Sequence, residues 1–139
     1  MYSRILVAND GSSGALKALE AAIRLAKRHR AELHMIAVEE LPRFAASIDE
    51  VDEEQAEADH RLAPVLAAAR AQAKRERVKL ETHIVAGHVV PAIVELVRTH
   101  RIDLLVVGFM GHSQLYERII GSTTDRLVRL APCAILVVK

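Results

Sequence analysis

The chain has 139 residues, 51% of them apolar and 3% aromatic, with a formal net charge of +1. That length suits one domain, expected over residues 1–139, and its core has to be built from Ala, Val, Leu and Ile. The near-neutral balance excludes a global electrostatic case for nucleic acid or a membrane surface, and a single cysteine, Cys133, excludes an intrachain disulfide or a cysteine-based zinc site.

Ile5-Leu6-Val7-Ala8 is a short apolar run ended by Asn9-Asp10-Gly11-Ser12-Ser13-Gly14, which reads as a buried strand and a turn. The chain enters this strand without a signal-peptide apolar region, and no apolar run approaches the roughly 20 residues that cross a bilayer. A cytoplasmic protein is therefore expected. Leu16, Leu19, Ile23 and Ala26 then recur at helical spacing, with Ser12 or Ser13 as N-cap.

Leu33 to Val38 reads as a second strand, followed by an acidic, irregular segment from about Glu39 to Glu57. Leu62, Val65, Leu66, Ala69 and Ala73 mark a second helix, in which Pro64 predicts a kink or a later start. Leu80 to Val85 alternates as a third strand. Pro91 sits in the first turn of a helix carrying Val90, Ile93, Val94 and Val97. Leu104 to Val107 is a fourth strand, Ser122 to Leu130 a last helix, and Ala134 to Val138 a fifth strand after Pro132. Apolar strands alternating with amphipathic helices predict an open parallel α/β sheet with helices on both faces. Ligands of such sheets bind outside the carboxyl ends of the strands, where the winding reverses.

Two of those strand ends are unusual. One is Asp10-Gly11-Ser12. The other is the stretch from Gly108 to Gly121, with Gly111 between. Gly108 lets the chain turn and lets a ligand approach its backbone. Gly111 opens further N–H groups toward an anion. Ser122-Thr123-Thr124-Asp125 fits a capping box, and a helix N-terminus favours a phosphate. No Lys follows the last glycine as in a Walker A loop, and the spacing is not the compact G-x-G-x-x-G of dinucleotide folds. The plain alternative is three turn glycines and an ordinary helix cap. Asp10 is likewise either a turn-former or a ligand contact, and His112 and Ser113 are either solvated loop residues or phosphate donors.

These residues resemble the universal stress protein family. Gly108-x-x-Gly111, nine residues, then Gly121-Ser122 matches the G-2x-G-9x-G-(S/T) signature of its ATP-binding branch. Ile5 to Ser12 resembles that family's opening strand and Ala131 to Val138 its closing one. The resemblance runs through the whole chain and is least typical around Asp49 to Asp59. It implies a Rossmann-like, adenine nucleotide alpha hydrolase-like sheet of order 3-2-1-4-5, usually in a homodimer through the C-terminal strand. It implies ATP, with Mg²⁺ as an optional companion, between the first and fourth strands. Position by position, Asp10 would face the ribose or adenine, the Val38 backbone would read the adenine edge, and Gly108 would lie under the ribose. Gly111, His112, Gly121, Ser122 and Thr123 would hold the phosphates. Ser113, read from the residues rather than from the resemblance, offers a second donor. Asn9 departs from the family's usual apolar residue and is expected to take a buried hydrogen-bond partner.

His29, His34, His60, His83, His88 and His100 show no ligand spacing, so no metal site is expected from them. Three functional readings follow. The first is a cytosolic ATP-binding regulatory protein of the stress response, a sensor or adaptor read by other proteins. The second is a slow ATPase or a phosphoryl- or nucleotidyl-transferring enzyme using the same pocket. The third is an interaction module with a vestigial pocket. Glu117 and Arg118 are the only charged residues inside the Gly108–Gly121 stretch, which disfavours efficient phosphoryl transfer.

Overall fold

The computed structural model describes residues 1–40, 48–109 and 120–139, with side chains from residue 60 onward in the middle segment. Its elements are β1 (Arg4–Ala8), α1 (Ser13–His29), β2 (Glu32–Glu40), α2 (Ile48–Arg75), β3 (Leu80–Gly87), α3 (Val89–Thr99), β4 (Leu104–Gly108), α4 (Ser122–Leu130) and β5 (Ala134–Val138). All strand pairs are parallel, in the order β3-β2-β1-β4-β5. The winding therefore reverses between β1 and β4.

Successive strand residues face opposite sides of a sheet, and here both sides are covered. Ile5, Val7, Leu33 and Met35 pack with Leu19 and Ile23 of α1 and Leu66 and Ala69 of α2. Leu6, Ile36, Leu105 and Val107 pack with Ile93 and Val97 of α3 and Leu127 of α4. Near-continuous apolar strands are what two covered faces require. The Asp103 carboxylate ties the starts of β1 and β4 together, accepting from the backbone N–H of Ser3 (2.8 Å) and of Arg4 (3.0 Å).

The expected irregular segment is corrected in part. Residues 48–57 lie in α2, which starts well before Pro64 and holds that proline inside it. Glu, Ala and Gln are strong helix formers, and a helix of this composition carries no apolar periodicity to announce it. Ser12, rather than Ser13, caps α1: its Oγ accepts from the N–H of Ala15 at 3.2 Å.

Candidate functional site

The carboxyl ends of β1, β2 and β4 open into a cleft of about 570 Å³, within the size range of small-molecule sites. Ile36 and Val38 of β2, Val107 of β4, and Val89 and Ile93 of α3 supply its apolar lining. Asp10 and Ser12 come from the β1–α1 turn, Gly108 from the end of β4, and Gly121, Ser122 and Thr123 from the start of α4. Six of the nine residues singled out from sequence thus meet around one space. Gly111, His112 and Ser113 lie outside the described residues.

The β1–α1 turn is held by its own side chains. Asp10 Oδ1 accepts from the N–H of Ser12 at 2.9 Å, and Asn9 Oδ1 accepts from the N–H of Gly11 at 3.0 Å. Gly11 adopts φ +82°, a left-handed conformation that suits glycine. Asn9 is buried, and its Nδ2 donates to Met35 Sδ at 3.4 Å, the buried partner its polarity called for.

Gly108 has a packing role that spacing alone did not reveal. A Cβ at this position would stand 2.8 Å from the carbonyl carbon of Gly14 and 2.9 Å from its oxygen. The strand end and the start of α1 therefore touch backbone to backbone. On the other side, the Thr124 hydroxyl donates to the Gly108 carbonyl at 2.8 Å, fastening α4 to β4.

The start of α4 corrects the expected capping box. Gly121 is the N-cap, with φ −60° and ψ 148°, and no side chain caps the helix. Ser122 is the first helical residue, and the frame is set one position earlier because Gly121 N–H bonds the Phe109 carbonyl at 3.0 Å. The first N–H groups of a helix have no partner within it, so α4 presents donors and its positive dipole end at the cleft. Ser122 and Thr123 are exposed there.

Arg61 of α2 also lines the cleft and was not singled out from sequence. It is the only cation among the described lining residues, with Asp10 and Glu40 as the acids. It stands just ahead of the apolar periodicity of α2, and local spacing carries no signal for it.

Outside the cleft, strand pairing collects three histidines. β2 and β3 place His34 beside Glu81, and Ile36 beside His83. The rings of His34, His83 and His100 lie within 5.3 Å of one another, centroid to centroid. Cys133 is half-buried, and burial pushes its thiol above the usual value of 9.0, reinforced by the nearby Asp103 carboxylate and opposed by a backbone hydrogen bond at Leu105. The thiolate is the reactive form, so alkylation at neutral pH is expected to be slower in the native protein than in the denatured chain. Equal rates in a timed alkylation assay would contradict this.

The open parallel sheet, with its cleft at the winding reversal, defines a doubly wound α/β protein. A family model described as the Universal stress protein family matches residues 1–139. The universal stress protein YxiE of Bacillus subtilis is 31% identical over 148 residues, spanning 100% of both chains. The solved universal stress protein UspA from Lactobacillus plantarum has a TM-score of 0.88 and 28% identity, covering 99% of this chain and 98% of that one. A universal stress protein solved in complex with cAMP has a TM-score of 0.77 and 28% identity, covering 99% of this chain and 97% of that one. The chain belongs to the universal stress protein family. Among its described residues, no helix is long and apolar enough to cross a membrane.

Proposed function

We propose that this protein binds ATP or another adenine nucleotide in the cleft and acts as a nucleotide-dependent sensor or adaptor in the cytoplasm. The observation that carries the reading is the meeting of the α4 N-terminus with an apolar wall at the β1/β4 reversal. A base needs apolar surface and a phosphate needs fixed donors, and both line one space. In this reading Ile36 and Val38 face the base, Asp10 the ribose or adenine, and Gly121, Ser122 and Thr123 the phosphates. Gly111 and His112 join the phosphate side by family resemblance, and Ser113 as a neighbouring hydroxyl donor. Arg61 adds positive charge, and Asp10 helps to hold a phosphate-bound Mg²⁺ in this reading. The relative solved with cAMP supports an adenine nucleotide as the ligand class. We also propose a homodimer through β5.

Calorimetry with ATP, AMP, cAMP, GTP and adenosine tests this. ATP is expected to bind more tightly than adenosine and GTP. If no adenine compound binds, or GTP binds as well as ATP, the reading fails. Ser122→Ala should weaken ATP by about 1.5–3 kcal/mol, the range for a hydrogen bond to a charged group, and leave adenosine nearly unchanged. Because Ser122 is exposed and caps nothing, this variant should keep wild-type thermal stability. Equal losses for ATP and adenosine would place Ser122 away from the phosphates.

A further inference from the structure

His34, His83 and Glu81 come from neighbouring parallel strands, and their ligating atoms all lie within 4.8 Å of one another. His34 Nδ1 stands 3.0 Å from His83 Nε2 and 3.5 Å from Glu81 Oε2. Two donors bound to one tetrahedral ion at 2.0–2.1 Å stand roughly 3.4 Å apart. The spacing around His34 Nδ1 therefore suits a single small ion with little rearrangement.

We propose that His34, His83 and Glu81 form a binding site for a divalent transition-metal ion of the Zn²⁺ class, with water in the fourth position. Two imidazoles and one carboxylate are the donor set of such an ion, and Mg²⁺ or Ca²⁺ would require more oxygen ligands. The second ring nitrogen of His34, Nε2, lies 3.5 Å from Glu32 Oε2. A carboxylate behind a metal-bound imidazole fixes its tautomer and raises its basicity. The same Glu32 oxygen lies 3.4 Å from Arg4 Nε, which holds the carboxylate in place. His34 is buried, so its ring is fixed by the surrounding protein, while the exposed Glu81 side chain leaves a path for the ion. The His100 ring, 4.8 Å from that of His83, walls the site from the end of α3. Its Nδ1 is engaged by the Thr99 hydroxyl at 3.0 Å.

The test uses the full chain, stripped with a chelator and titrated with ZnCl₂ by calorimetry and with Co²⁺ by visible absorption. Wild type is expected to take one ion per chain, with the intense absorption of four-coordinate Co²⁺. His83→Gln and Glu81→Gln should each lower Zn²⁺ affinity at least tenfold and weaken that absorption. Glu32→Gln should lower affinity by about 10–100-fold, as carboxylates behind a ligand do. Glu81 and Glu32 are exposed enough for their variants to fold, so the test does not depend on the buried His34. Wild-type affinity in both His83→Gln and Glu81→Gln, or no saturable binding by wild type, would overturn the site.

Discussion

Gly108→Ala is expected to destabilise the nucleotide-free protein by about 1–3 kcal/mol, the usual cost of inserting a methyl group into a packed site. The new Cβ would meet the Gly14 carbonyl carbon at 2.8 Å and its oxygen at 2.9 Å. These are backbone atoms and cannot rotate away. Either β4 or the start of α1 has to move. Both shape the cleft, since Ser12, the N-cap of α1, and Ala15 in its first turn line it, and the Gly108 carbonyl holds Thr124 of α4. Nucleotide affinity should therefore fall together with stability. Urea denaturation without ligand separates two uses of this glycine. If Gly108 serves only to give a ribose room, the alanine variant will unfold at the wild-type midpoint, and the backbone-contact account is wrong.

The second large effect is expected at β5, one edge of the sheet. Leu136 is 37% exposed, and Val128 and Leu130 at the end of α4 are 49% and 54% exposed. No charge or proline lies within Ala134–Val138 to blunt pairing with another chain. The ladder says which N–H groups are free for it. Val138 O accepts from Phe109 N at 2.8 Å, so Val138 faces β4. By alternation Leu136 and Ala134 face it too, while the backbone groups of Ile135 and Val137 point outward. Ile135→Pro removes an outward donor and should convert a dimer to monomers while leaving the β4 ladder intact. Leu136→Pro removes an inward donor and should cost more folding stability. Sedimentation velocity at micromolar concentration reads the first effect and thermal melting the second. Monomeric wild type would refute the dimer, and a dimer that survives Ile135→Pro would move the interface elsewhere.

The strands were legible because their signal is local. Ala134 to Val138 is read from its apolar residues with the bounds the structure has, and Ile5 to Ala8 and Leu104 to Val107 fall one residue short. The strand order came through family resemblance, since hydrophobic pattern alone leaves the arrangement of strands open. The first part of α2 was missed for the opposite reason: an acidic helix with no apolar stripe resembles a solvated loop. At α4 the error was one position. Ser122-x-x-Asp125 has the composition of a capping box, but the Gly121–Phe109 hydrogen bond sets the frame, and a one-residue shift turns a cap into an exposed helical serine. The histidine group was out of reach of any spacing rule. His34 and His83 lie 49 positions apart and meet only through the register of two parallel strands.

The two edges of the sheet differ in chemistry. β3 carries Glu81 with a side chain 61% exposed, and His83 two residues on, whereas β5 carries neither charge nor imidazole. An edge that paired β5 of one copy with β3 of the next would leave the same two edges free again, and growth would continue into a filament. Polar and ionisable groups along β3 disfavour that step, because they would have to shed water against an apolar strand. Pairing β5 with β5 around a two-fold axis leaves only β3 edges outside. In the proposed dimer, assembly would then stop at two copies, so the protein could be concentrated without polymerising.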